Sequence, residues 1–178
     1  MILNFFRKNR MKFIVIGFLL LFLSIIVAVN WTDKKEVSEN FAKQLFEYPL
    51  PPQTEIIEKE QVNGKGVVSG NGGYWGVIAS IHLQTTLSKE DILSYYQGAG
   101  LFTYPDSTKK GVELEIYFED DVQKIKISEG YYFRSSDGGT RFLKNYSENN
   151  QQNLINNRDE IKYVVQITND FDYFPKLD

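Results

Sequence analysis

Three kinds of hydrophobic patterning follow one another along the chain. The first is continuous. From Phe13 to Val29 there are 17 residues without a charge, and Ser24 is the only polar side chain among them. At a rise of about 1.5 Å per residue this run is about 25 Å long as a helix, the short end of what crosses a bilayer core. Arg10 and Lys12 can lay their stems along the acyl region, and Trp31 stands where an interfacial aromatic is expected. The pattern predicts a basic tail over 1–12 and a transmembrane helix over 13–30.

The second pattern has helical spacing. Between Thr32 and Tyr48 the apolar positions Val37, Phe41, Leu45 and Phe46 recur on one side, with Lys34, Glu36, Glu39 and Lys43 on others. Pro49 ends this helix, because a residue before proline is pushed out of the helical region. Pro49-Leu50-Pro51-Pro52 then makes a short stiff step. Residues 31–52 are thus expected to be a juxtamembrane helix and proline linker, with a folded domain over 53–178.

The third pattern is alternation. Thr54 to Glu60 reads as a strand closing on Val62-Asn63-Gly64. Tyr74 to Thr85 is the clearest strand, with Trp75, Val77, Ala79, Ile81 and Leu83 as its core face. Ser88 caps a helix with acids in its first turn and Ile92, Tyr95 and Tyr96 as its packing stripe, stopped at Gly98 or Gly100. Val112 to Ile127 reads as a hairpin looping at Asp120-Asp121, which sets Ile116 opposite Ile125 and Glu115 opposite Lys126. Tyr131-Tyr132-Phe133 continues the sheet to a turn at Asp137-Gly138-Gly139, with Thr140 to Leu143 returning. Asn145 to Asn157 is polar and reads as a surface loop with a weak helix around Leu154. Ile161, Tyr163, Val165 and Ile167 alternate with polar positions in a last strand. This order predicts an α+β, two-layer domain: an antiparallel sheet with one main packed helix.

Charge gives the first run a direction. Four basic and no acidic residues precede it, so the positive-inside rule places the N-terminus in the cytoplasm and the domain outside. The expected location is therefore the cell membrane, with a single pass. A cleaved secretory signal has a shorter apolar core and a small-x-small site, and near the end of this run the only small residue is Ala28, flanked by Val27 and Val29. After Trp31 the chain holds all 23 acidic and 16 of the 20 basic residues, a net charge of −7. Such a domain disfavours nucleic acid, anionic lipid heads and polyanionic wall polymers. There is no cysteine, hence no disulfide, thiol chemistry or lipoprotein anchor, which suits the surface of a Gram-positive bacterium.

Candidate chemistry is sparse. His82 is the only histidine, and no clustered carboxylate spacing accompanies it for a metal. The stretch Gly64 to Gly73 lacks the P-loop glycine, since position 59 is Lys, and has Ser69 where a dinucleotide fingerprint needs glycine. Glu119-Asp120-Asp121 and Asp170-Phe171-Asp172 lack the alternating ligands of a calcium loop and read as a solvated turn and tail. No serine lies in a Gly-x-Ser-x-Gly elbow. All eleven tyrosines follow the anchor, some paired as Tyr95-Tyr96 and Tyr131-Tyr132, and supply core volume or an aromatic contact surface. No catalytic, cofactor-binding or metal-binding residue is assigned, and no cofactor is implied.

Pro49-Leu50-Pro51-Pro52-Gln53-Thr54 followed by Ser69-Gly70-Asn71-Gly72-Gly73 and a strand resembles a layout in uncharacterised single-pass membrane-anchored proteins of Gram-positive bacteria. Over residues 10 to 100 the anchor, proline step, glycine-asparagine turn, strand and helix come in the same order. The resemblance implies a surface-anchored domain and carries no activity. The expected function is a non-catalytic module that binds another envelope protein or a cell-surface component. The alternatives are a carboxylate-dependent cell-wall hydrolase, which needs two buried carboxylates about 5–10 Å apart, and a small-ligand sensor, which needs an apolar pocket.

Overall fold

The computed structural model describes residues 2–64, 74–103, 111–149 and 160–172. The chain divides into two compact units, Met1–Val37 and Ser38–Asp178. Helix α1, Ile2–Phe46, supplies all the described structure of the first unit and the opening turns of the second.

In the first unit every residue from 11 to 27 is exposed. Its large apolar side chains there show between 42% and 80% of their surface, Ile26 the least and Met11 the most. Ser24 Oγ donates to the Leu21 carbonyl at 2.7 Å, so the hydroxyl is satisfied within the helix. Among the described residues no helix is long and apolar enough to cross a membrane. Side chains of α1 are described over 11–27 and 34–46, so the transmembrane helix expected over 13–30 is not established by the fold.

The second unit is α+β and is built on a four-stranded antiparallel sheet. Its strands are β1 (Thr54–Gly64), β2 (Tyr74–Thr85), β3 (Glu115–Phe118) and β6 (Ile161–Asp172), in the spatial order β1-β2-β6-β3. β2 falls where alternation predicts it, and the predicted odd-numbered face is a core face. Val77, Ala79, Ile81 and Leu83 are buried there with Ile116, Phe118, Tyr163, Val165 and Ile167 of the neighbouring strands.

Two helices cover that face. Helix α2 (Lys89–Tyr96) contributes Ile92, Leu93 and Tyr96. Ser88 caps it by accepting from the Asp91 amide at 3.1 Å. The end of α1 contributes Phe41, Ala42 and Leu45, all buried, and Trp75 Nε1 donates to Ser38 Oγ at 3.3 Å. The unit thus begins at Ser38 and not near 53. Pro51 is buried, and Tyr95 OH donates to the Leu50 carbonyl at 3.1 Å, so the proline step is packed onto the domain.

The opposite face is also covered, which corrects the two-layer expectation. Strands β4 (Val122–Ile127) and β5 (Gly130–Ser135) form a separate two-stranded sheet. Phe133 packs with Tyr117 and Val164 in a second small core, with Val122 against it. The hairpin expected over Val112 to Ile127 is therefore not formed. Residues 119–121 make a 3-10 turn that carries the chain out of the first sheet, and β3 pairs with β6, setting Glu115 opposite Gln166. Lys126, expected opposite Glu115, lies opposite Tyr131. Asn145 to Asn157, expected as loop, begins inside a short helix α3 (Leu143–Asn149), while 150–159 lie outside the described residues.

Candidate functional site

Among the described residues of the second unit, two gatherings of polar side chains stand out, and they differ in kind. One is internal. Glu115 is 4% exposed, and its carboxylate lies between the sheets. Tyr117 OH donates to Glu115 Oε2 at 2.6 Å and Gln166 Nε2 donates to the same oxygen at 2.7 Å. Gln166 also reaches strand β5. Its Oε1 accepts from the Phe133 amide at 3.0 Å, and its Nε2 lies 3.1 Å from the Phe133 carbonyl. Burial pushes the Glu115 carboxyl above the ordinary range, against hydrogen bonds from Tyr117, Gln166 and Thr168 that favour the ionised form. The same burial, with the neighbouring carboxylate, pushes the Tyr117 hydroxyl up. This network ties the two sheets together.

The other place is an open cleft of about 350 Å³ at one end of the sheet. Gln53, Thr54 and Glu55 line it from the start of β1, Gln84, Thr85 and Thr86 from the end of β2, and Glu160 from the residue before β6. Its polar groups are largely spent on one another. Thr54 Oγ1 lies 3.0 Å from Thr85 Oγ1, and Thr85 Oγ1 donates to the Gln53 carbonyl at 2.8 Å. Thr86 Oγ1 donates to Gln53 Oε1 and Gln84 Nε2 donates to Glu160 Oε2, both at 2.7 Å. Gln53 holds a left-handed φ of 56° at the corner that sets up these contacts. Such a lining can hydrogen-bond a polar ligand, but it brings no histidine or activated nucleophile to it.

The residues weighed in the sequence lie apart. His82 sits on β2 against Phe133, ring centroids 6.4 Å apart, and burial lowers its pKa. Asp120 accepts from Lys89 Nζ at 2.8 Å, and Asp121 accepts from Arg141 Nε at 3.0 Å, so the acidic turn is anchored to the fold rather than simply solvated. Asp170 and Asp172 belong to β6, which runs further than its clean alternation. Of the glycine stretch only Gly64 is described, and 65–73 lie outside the described residues. Tyr96, Tyr117 and Tyr163 are fully buried, so those tyrosines are core volume, whereas Tyr131 is exposed. Among the described residues no group of three or more His, Cys, Asp or Glu is placed to hold a metal.

Glu115 and Gln166 were not legible as a pair, since nothing local links residues 51 positions apart. The one available signal was a polar residue at an inward-facing place in each of two apolar strands. Compared with known proteins, the chain matches no family model, and no curated protein or solved structure is found similar to it.

Proposed function

We propose that this chain is a single-pass membrane protein whose second unit is a non-catalytic binding domain facing outward, with an envelope protein or cell-surface component as partner. The observation that carries the reading is the exposure of every side chain from 11 to 27. A helix that buries one stripe against protein keeps a polar face; this one has no polar face to keep. Exposed apolar surface of that extent is unstable in water and calls for a solvent of its own kind. Lipid supplies it on all sides, and the four basic residues before the run set the orientation.

The hydrolase reading has less support. Among the described residues Glu115 is the only acid in the buried set, and its Oε2 already accepts from two donors. The sensor reading needs an apolar pocket, and the described cleft is polar and open.

Washing membranes from cells making the full-length protein at alkaline pH tests the anchor. The chain stays with the bilayer and is released by detergent alone. Replacing Leu20 and Leu21 with arginine costs about 3–4 kcal/mol per residue at a helix centre and shifts it to the wash. Release of the unaltered chain by the wash overturns the proposal.

A further inference from the structure

The two edges of the four-stranded sheet are treated differently. The β3 edge is covered by its own chain: Ile116 N donates to the Arg141 carbonyl at 2.9 Å, Leu143 N to the Leu114 carbonyl at 3.0 Å, and Tyr146 OH to the Ile116 carbonyl at 2.8 Å. Among the described residues the β1 edge is left open. Among the described residues, no backbone group of 55–63 bonds outside its ladder with β2. Residues 55–59 are all exposed, including Ile56 at 44% and Ile57 at 48%. A long edge with exposed isoleucines is a template for another strand.

The register fixes what that strand must carry. Glu55, Glu58 and Glu60 stand opposite Gln84, His82 and Ser80, with an irregularity between Ile56 and Glu58. All three carboxylates therefore project to the side of the β4–β5 sheet, while Ile56 and Lys59, opposite Leu83 and Ile81, project to the helix side. Lys124 confirms the first face, lying 3.5 Å from both Glu58 and Glu60. Glu60 Oε2 is buried against Lys124 and makes no hydrogen bond. Lys59 is held elsewhere, donating to the Phe46 carbonyl at 2.8 Å.

We infer that β1 is the docking edge of the binding domain, and that it takes an extended segment of a partner protein with lysine or arginine at alternate positions and apolar residues between. Main-chain bonds to the open edge supply affinity, and the row of three carboxylates selects the basic face. A second copy of this chain fits worse, because antiparallel pairing of β1 with itself sets carboxylates against carboxylates on one face. This deepens the binding reading above and rests on it.

The test uses full-length protein in detergent micelles and a short fluorescent peptide alternating lysine with valine. Anisotropy reports binding, and amide exchange slows within 55–63. Exchanging the charges as Glu58→Lys, Glu60→Lys and Lys124→Glu keeps the internal pairing. It weakens the lysine peptide about tenfold and creates binding of a glutamate–valine peptide by a similar factor. The glutamate arm also shows that the variant folds. Affinities unmoved by the exchange, protection arising outside 55–63, or self-association through β1 in place of peptide binding overturn the inference. Photo-crosslinking in intact cells from positions 57 and 131 separates it from the reading beneath. Crosslinks from 131 alone remove the β1 edge and leave a binding domain, whereas crosslinks from neither remove both.

Discussion

Gln166 on β6 donates its side-chain amide to Glu115 on β3 at 2.7 Å, while its carbonyl oxygen accepts from the Phe133 amide of β5. One side chain thereby fixes the register between two strands of the main sheet and holds the second sheet against them. A buried polar network of this kind is costly if any member is lost, because the remaining groups have no water to turn to.

Glu115 makes stability depend on pH. Burial raises its pKa in the fold above the unfolded value, so the unfolded chain ionises first as pH rises. The contribution is complete below the unfolded pKa, about 4.3, and is lost as pH climbs through the folded value. Glu115→Gln keeps an acceptor for Tyr117 and Gln166 and removes the charge. Denaturant melts should show a flatter pH profile above pH 5, with the variant more stable than the parent at pH 8 by about 1 kcal/mol. A variant less stable than the parent by more at pH 8 than at pH 4 would mean that the ionised carboxylate stabilises the fold.

Asp137 should titrate in the opposite sense. Ser135, the Arg141 guanidinium and the Gly139 amide all donate to it and hold its carboxyl well below the ordinary range. Its contribution is present above the unfolded pKa and fades as pH falls. Carbon-detected NMR titration should place the Glu115 midpoint above, and the Asp137 midpoint below, those of exposed carboxyls in the same spectrum.

Lys89 is buried, with its ammonium 2.8 Å from Asp120 and 4.9 Å from the Phe118 ring centroid. Asp120→Asn leaves that charge without its counter-ion and should cost about 1–2 kcal/mol, less than a fully buried pair because Asp120 is half exposed. Adding Lys89→Met should recover most of the loss. A double variant as unstable as the sum of the singles would show that the two residues do not interact.

Phe41 is fully buried, so Phe41→Ala should cost about 3–5 kcal/mol in chemical denaturation. A chain begun at Gln53 should fail to fold, and one begun at Ser38 should melt cooperatively. Folding from Gln53 would show the end of α1 to be dispensable.

What the sequence disclosed follows the range of its signals. β2 and α2 were legible because period-2 alternation and the Ser88 cap are local properties. The helical stripe of Phe41 and Leu45 was legible too, but the proline step from Pro49 to Pro52 made it read as a juxtamembrane helix outside the folded domain. Whether a proline step hangs free or packs depends on distant partners such as Tyr95. The hairpin around Asp120-Asp121 failed for the same reason. Its local pairing satisfied charge on one face and apolarity on the other, while the winning partners of β3 lie on β6, far along the chain. The open β1 edge was beyond reach, since only strand order shows which strands are central.

Because the chain has no cysteine, a single introduced thiol reports topology without background. Intact cells carrying full-length protein with Glu90→Cys or Asn9→Cys can be treated with a membrane-impermeant maleimide. The account predicts that Cys at position 90 labels at once and Cys at position 9 only after the membrane is opened. Protection of position 90 in intact cells, or labelling of position 9 there, would contradict it.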